Sequence, residues 1–354
     1  MHLTLRSVPT HLVERGLLSF GDLVDGSVTV SDVSRRNRNF RVTRDTQPCF
    51  FVKQVREFDA LSIETLRRDA RCYWLANNHD EFRALAPLLP PFHTFDVLRS
   101  ILVLGLLTDV ETVHAQHQRT REYPVGLAAT TARALAHYHT AFRALPASAA
   151  SSAFARMHPW VLSTGDPTLF PSGLQTPMGR QLLHLSRARG IEADLARARQ
   201  RWHVETLIHG DLKWDNCLVT LYGPDAGKLR IIDWEIADVG DPAWDIGSIF
   251  QSYLAQWTFS QNATEASPDA HARLTATRPA LRAFWDSYVA FSGCAHPRDL
   301  LEKSVAFGAG RLVQTAYESL YASPAITPHS LQLLDLAGTI LSAGANGYRV
   351  LFGD

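Results

Sequence analysis

Cysteine is scarce in this chain of 354 residues: Cys49, Cys72, Cys217 and Cys294 stand far apart, and no C-x-x-C pair occurs. That spacing excludes a disulfide framework and a thiolate zinc knuckle, and it predicts buried free thiols in a reduced, cytoplasmic setting. Long apolar runs are missing as well. The longest, residues 101–107, falls far short of the roughly 20 residues that cross a bilayer, and the first residues lack the apolar core of a signal peptide. Net charge is missing too, with Lys plus Arg at 35 and Asp plus Glu at 35. The chain as a whole therefore offers no field for nucleic acid or an anionic membrane, and neither is expected as a partner. No internal repeat is visible. The remaining composition, 46% hydrophobic and 20% charged, is that of an ordinary globular protein long enough for two sub-domains.

Periodicity organises the first hundred residues as strands with one helix. Residues 26–30, then Phe40 and Val42, then residues 48–55 carry alternating or continuous apolar side chains separated by turn residues, which predicts an antiparallel meander. Residues 65–77 place Leu66, Ala70, Tyr73, Trp74 and Leu75 at helical spacing. After a proline-rich break, residues 94–98 and 101–107 read as two further strands. Beyond them the pattern is helical: 125–145, 178–201, 279–291, 300–321 and 330–351, with Pro279 suited to a first helical position. Residues 259–277 are polar and read as mobile.

Two short segments carry chemistry. In His209-Gly210-Asp211-Leu212-Lys213-Trp214-Asp215-Asn216, a carboxylate precedes an amide by five residues, the spacing by which a kinase loop presents an Asp to the acceptor hydroxyl and an Asn to magnesium. Lys213 can place a cation on a transferring phosphoryl group. About seventeen residues later, an apolar strand ends in Ile231-Ile232-Asp233-Trp234-Glu235, which sets Asp233 where a second metal-binding oxygen is needed. The segment Val239-Gly240-Asp241-Pro242-Ala243-Trp244-Asp245-Ile246 follows.

These three segments, in this order, resemble the HGDxxxxN loop, the D-[FW]-E/G strand end and the G-D-P-x-x-D-[IL] helix start of the aminoglycoside phosphotransferase and choline kinase superfamily. The resemblance implies an α+β, bilobal, protein-kinase-like fold. A five-stranded antiparallel lobe with one main helix, residues 1–107, would bind nucleotide, and a mostly helical lobe, residues 108–354, would hold the catalytic loop and the acceptor. The helix at 125–145, whose Leu135-Ala-His-Tyr-His139 resembles the family's L-A-x-x-H ending, would lie beneath the active site. The implied activity is transfer of phosphoryl from ATP or GTP, assisted by Mg²⁺, to a hydroxyl.

The resemblance assigns Asp211 as catalytic base or orienting group, Lys213 and Asn216 as its catalytic neighbours, and Asn216 and Asp233 as metal ligands. Asp245 braces the loop and is structural. Lys53, in the third strand, would bind the α- and β-phosphates. Its counter-charge would come from Asp69, where the family has Glu, with Glu64 as the alternative, and Leu106 and Thr108 would line the nucleotide in the hinge. The phosphate turn departs from the pattern: residues 31–39 contain no glycine, leaving Ser34, Arg35 and Asn37 to meet phosphate, or an exposed basic turn with no ligand. The pair His114 and His117 has helical spacing without a carboxylate partner, so a metal site is not expected there.

The acceptor stays open at this point. The HGD loop favours a small molecule, and a neutral chain is unlike those that bind polycationic antibiotics. Lys213 and the arginines at 187, 189, 197, 199 and 201 admit a Ser/Thr of a precursor peptide in a ribosomal natural-product (lanthipeptide-like) pathway, docked through an acidic leader. The glycine-free turn admits a nucleotide-binding pseudokinase scaffold.

Overall fold

Alternating apolar side chains build a five-stranded antiparallel sheet in the computed structural model, which describes residues 2–34, 36–45, 48–259, 268–323 and 325–353. Strands β1 (Thr29–Asp32), β2 (Arg38–Thr43), β3 (Phe50–Gln54), β4 (Phe92–Asp96) and β5 (Ile101–Gly105) lie in the order β1-β2-β3-β5-β4. Side chains of a strand alternate between faces. Phe40, Val42, Phe50, Val52, Ile101 and Val103 therefore share one face, which buries Val8 and Leu12 of helix α1 (Ser7–Glu14) together with Leu3 and Leu18. Gln54 confirms that register, its amide oxygen accepting from Leu3 N–H at 2.7 Å. Lys53 must then point to the opposite face.

That face meets helix α3 (Ala60–Asn78), which follows the short α2 (Phe20–Val24) in the chain. The Asp59 carboxylate caps α3 by accepting the N–H groups of Leu61 and Ser62, each at 3.0 Å, so the helix begins five residues before the apolar spacing alone predicts.

The chain forms two compact units, and the expected boundary at 107/108 lies inside the first. The first unit is residues 1–112 joined by 218–237. The reason is strand pairing: β6 (Val110–Thr112) pairs antiparallel with Leu218, Val219 and Thr220 of the strand Cys217–Thr220, which also neighbours Leu229–Ile231. The second unit, residues 113–217 and 238–354, is helical apart from a two-stranded pairing of Thr206–Ile208 with Asp238–Gly240. Its helices are α4 (Val113–Thr120), α5 (Val125–Ala141), α6 (Pro177–Ala188), α7 (Ile191–Gln200), α8 (Pro242–Phe259), α9 (Pro268–Ser292), α10 (Pro297–Glu318), α11 (Pro328–Ser342) and α12 (Tyr348–Phe352).

Three helical expectations are corrected. The single helix over 178–201 is broken at Gly190, whose φ of 73° starts a new helix, a conformation that only glycine adopts without strain. The last helix is likewise split, with Gly344 at φ 55° between α11 and α12. The helix expected to begin at Pro279 begins at Pro268 and carries Pro279 inside it. An internal proline costs about 3 kcal/mol, and the packing of α9 along α5 outweighs it. Of the segment expected to be mobile, residues 268–277 are thus helical, while 260–267 lie outside the described residues. Among the described residues no helix is long and apolar enough to cross a membrane.

Candidate active site

Within the first unit, Lys53 gathers carboxylates. Its Nζ lies 2.9 Å from Asp69 Oδ2, 2.5 Å from Asp233 Oδ1 and 3.9 Å from Glu235. Burial works against the ammonium, but Asp69, Asp233 and Glu235 outweigh it and push the Lys53 pKa up, so the side chain is a fixed cation. Asp69 is buried, while Glu64 turns to Arg71 at 3.4 Å with a side chain 43% exposed. The structure therefore places Asp69, not Glu64, at the lysine.

Asp69 does a second job. Its Oδ1 accepts Trp234 N–H at 2.9 Å, and the fully buried Trp234 donates its indole N–H to Ile231 O at 3.1 Å. Those two anchors hold the intervening Asp233 at φ 68°, a left-handed conformation that costs a non-glycine residue about 1–3 kcal/mol and persists where neighbours enforce it. Glu235 is drawn into the same cluster by Arg36, at 2.7 Å. Burial, with the negative charge of Asp233, pushes the Glu235 carboxyl up to about 7.

The glycine-free turn is closed by its own side chains. Ser34 Oγ accepts Asn39 N–H at 3.0 Å, and Ser34 N–H donates to Asp32 at 2.8 Å. The hydroxyl expected to meet phosphate thus already holds the hairpin. Asn37 is half-buried beside it, and Arg35 lies outside the described residues. Leu106 spends its N–H on Cys49 O at 2.9 Å, and Thr108 is exposed.

In the second unit the catalytic-type loop is braced from below. Gly210 sits at φ 83°, where a β-carbon would be strained. The wholly buried Asp245, at the start of α8, accepts His209 N–H at 2.7 Å and Gly210 N–H at 3.0 Å, together with the Tyr138 hydroxyl at 2.6 Å. Burial alone would raise the Asp245 pKa, but the His139 contact leads the interactions that bring it below its ordinary value. Trp244 completes the brace by donating to Gly210 O at 2.7 Å.

The loop then presents Asp211 with a cation on each oxygen. Lys213 Nζ is 2.8 Å from Oδ2, and Arg311 Nη2, from α10, is 2.5 Å from Oδ1. Burial raises the carboxyl pKa, but Arg311 and Lys213 outweigh it and hold Asp211 well below the usual range. Asn216 donates its Nδ2 to Asp211 O at 2.8 Å, which leaves its amide oxygen as the atom suited to a hard cation.

Arg311 is the residue that motif reading misses. The signal was present: it is the one charge among Val305, Ala306, Phe307, Gly308, Ala309, Gly310, Leu312 and Val313, and a buried charge needs a partner. It reaches Asp211 because α8 and α10 touch through glycine. A β-carbon on Gly247 would lie 2.5 Å from Ser304 O and 2.7 Å from Gly308 N. Beside Lys213 and Arg311 opens a cleft of about 220 Å³, lined also by Gln251, Ser252, Gln256, Thr315, Asp215 and Glu318.

His117 is buried, its Nδ1 lies 2.5 Å from Glu122 O, and its ring packs 4.2 Å from Trp214. Of the arginines at 187, 189, 197, 199 and 201, four carry surface ion pairs: Arg187 with Glu192, Arg189 with Asp335, Arg197 with Asp194 and Arg201 with Asp299.

Comparison with known proteins bears on the family and the fold. The model of the family described as "Phosphotransferase enzyme family" matches residues 29–284, more than half of the chain. Among solved structures, the GDP complex of wild-type aminoglycoside 2'-phosphotransferase-IIIa is 16% identical, with a TM-score of 0.56 over 94% of this chain and 98% of that one. Choline kinase LicA from Streptococcus pneumoniae is 15% identical, with a TM-score of 0.52 over 94% and 99%. Macrolide 2'-phosphotransferase type I is 17% identical, with a TM-score of 0.51 over 89% and 98%. These are likenesses of fold. No curated protein matches significantly.

Proposed function

The chain belongs to the phosphotransferase enzyme family, and on that premise we propose that it transfers the γ-phosphoryl group of ATP or GTP, with Mg²⁺, to a hydroxyl of a small molecule. The observation that carries this reading is Asp211, held ionised between Lys213 and Arg311 where those two side chains border a cleft. A carboxylate so placed orients an acceptor hydroxyl and takes its proton. The acceptor oxygen bonds to the γ-phosphorus as the bond to the β-phosphate oxygen breaks, and the nucleoside diphosphate leaves with the electron pair.

Lys53 is assigned to the α- and β-phosphates, with Asp69 keeping it in place. The amide oxygen of Asn216 and the carboxylate of Asp233 are each of a kind suited to Mg²⁺, which takes one or two protein ligands besides phosphate and so needs no protein cage. Among the described residues no three His, Cys, Asp or Glu are placed to hold a metal ion by themselves. Charge on the transferring group is neutralised by the metal when it is bound.

The cleft favours a compact acceptor. Its 220 Å³ is below the roughly 300–1,000 Å³ of pockets for drug-sized ligands, and neutral Gln251, Ser252, Gln256 and Thr315 suit hydroxyls. An acidic leader peptide would compete with the ion pairs that four of the five arginines already make, which leaves Lys213 as the feature that favours a peptide acceptor. The presence of Lys53, Asp69, Asp211, Asn216 and Asp233 together speaks against a scaffold without catalysis.

The test is a mass-spectrometric screen of small hydroxylated compounds with Mg·ATP or Mg·GTP for one added phosphoryl group, repeated with Asp211→Asn. The variant is expected to keep nucleotide binding and lose turnover. Turnover within about tenfold of the parent, a loss of only ~1.4 kcal/mol in transition-state stabilisation, removes Asp211 from the chemistry.

A further inference from the structure

The two cations on Asp211 differ in their freedom to move. Lys213 is 37% exposed at the cleft, whereas the Arg311 side chain is 2% exposed, packed 5.6 Å over the Trp244 ring. Its Nε and Nη1 are buried with no hydrogen-bond partner among the described residues. Burying a donor unpaired is costly, and a residue that merely filled the apolar face of α10 would carry no donors at all. Nor can those sealed nitrogens reach a ligand in the cleft. The guanidinium acts outward only through Nη2, on Asp211 Oδ1.

We propose that Arg311 is a positioning residue for phosphoryl transfer: it clamps Oδ1 of Asp211, so that Lys213 can pass from Oδ2 to the transferring phosphoryl group while the carboxylate stays in place. Oδ2, released by Lys213, accepts the hydrogen bond and then the proton of the acceptor hydroxyl, and solvent takes that proton afterwards. Without the clamp, the carboxylate would follow Lys213 or rotate when the lysine leaves. The glycine contact between α8 and α10 serves the same end, since Gly308 lies one turn before Arg311 and lets the guanidinium approach the loop. This inference rests on the phosphotransferase reading of Asp211.

The test measures kcat and KM for Mg·ATP and Mg·GTP, with an acceptor from the screen or with water in its place, in the parent, Arg311→Met, Arg311→Lys, Asp211→Asn and the double variant Asp211→Asn/Arg311→Met. Arg311→Met, which keeps bulk without charge, is expected to lower kcat by about 100-fold or more, the scale of losing one preorganised donor, with KM for nucleotide moved by less than about threefold. Arg311→Lys should fall between, because a point charge does not reproduce the planar fork. Low, non-denaturing guanidinium ion should restore part of the Met variant's turnover, which it would not do for a merely packed side chain. In the Asp211→Asn background, Arg311→Met should add less than about threefold, since residues acting as one unit are not additive.

Unchanged kcat in both single variants, a shift confined to KM, or a full multiplicative loss on top of Asp211→Asn overturns the proposal. Should circular dichroism show the Met variant unfolded, Arg311→Lys decides alone by the same kcat and KM criteria. If Asp211→Asn itself keeps turnover, or the parent is inert with both nucleotides, the phosphotransferase assignment of Asp211 has failed first, and the clamp with it.

Discussion

A single methyl group at Gly247 should cost both stability and turnover. The residue lies on α8 where α10 crosses closely, and a β-carbon there would stand 2.5 Å from Ser304 O and 2.7 Å from Gly308 N. Both obstacles are backbone, so no side chain can swing aside. Restoring an ordinary contact of 3.4 Å moves α10 outward by about 0.9 Å, because close-packed interiors transmit such strain rather than absorb it. The Arg311–Asp211 contact of 2.5 Å then opens to about 3.4 Å, past the roughly 3.2 Å reach of a hydrogen bond. Overpacking costs about 1–3 kcal/mol, and the better helix propensity of alanine returns up to about 1, for a net loss near 1–2 kcal/mol. Misplacement on this scale is worth about 100-fold in rate. Urea denaturation and nucleotide turnover measure the two effects. Gly126→Ala is the control, a helical glycine in α5 with nothing within 4 Å of the added carbon, expected to gain about 0.5–1 kcal/mol and keep full turnover. If Gly247→Ala matches that control in stability and the parent in rate, the close approach of α8 and α10 does not position Arg311.

Asp233→Ala should abolish the Mg²⁺ dependence of nucleotide affinity, because a carboxylate suited to the metal disappears; calorimetric titration with and without Mg²⁺ reads this, and an unchanged magnesium effect would refute it. Around Lys53, denaturant midpoints should rank Asp69→Ala lowest, then Asp69→Asn, then Glu64→Ala. Asp69→Ala strips a buried ion pair and the acceptor of Trp234 N–H, a loss of about 3–5 kcal/mol. Asp69→Asn keeps that acceptor and saves about 1–3 kcal/mol, and Glu64→Ala removes only an exposed pair worth less than about 1 kcal/mol. Equal midpoints for the two Asp69 variants would show that its bond to Trp234 contributes nothing.

Much of this architecture was legible because it is periodic or local. Alternation in Phe40, Val42, Phe50 and Val52 defines a sheet face, and with it the direction of Lys53. A helical face containing Ala70 and Tyr73 likewise turns Asp69 inward. The stretch from His209 to Asn216 is legible for a different reason: its residues bond within the loop, Lys213 to Asp211 and Asn216 to Asp211 O, so their spacing is their geometry. What stayed hidden depends on contacts between distant segments. Glu235 is one letter of a motif in the sequence, whereas in the fold Arg36 reaches it across 199 positions. The glycine-free sequence of residues 31–39 leaves open whether that turn meets phosphate, and only the fold shows Ser34 closing it with its own hydroxyl. Arg311 lies 100 positions from Asp211, in a helix whose only hint was one charge in an apolar run. The groups suited to the chemistry are thus concentrated in short motifs, whereas the group that orients Asp211 comes from a helix bearing none. Two proteins with the same His-Gly-Asp loop can therefore hold the catalytic carboxylate by different means, and the difference is written in how their later helices pack.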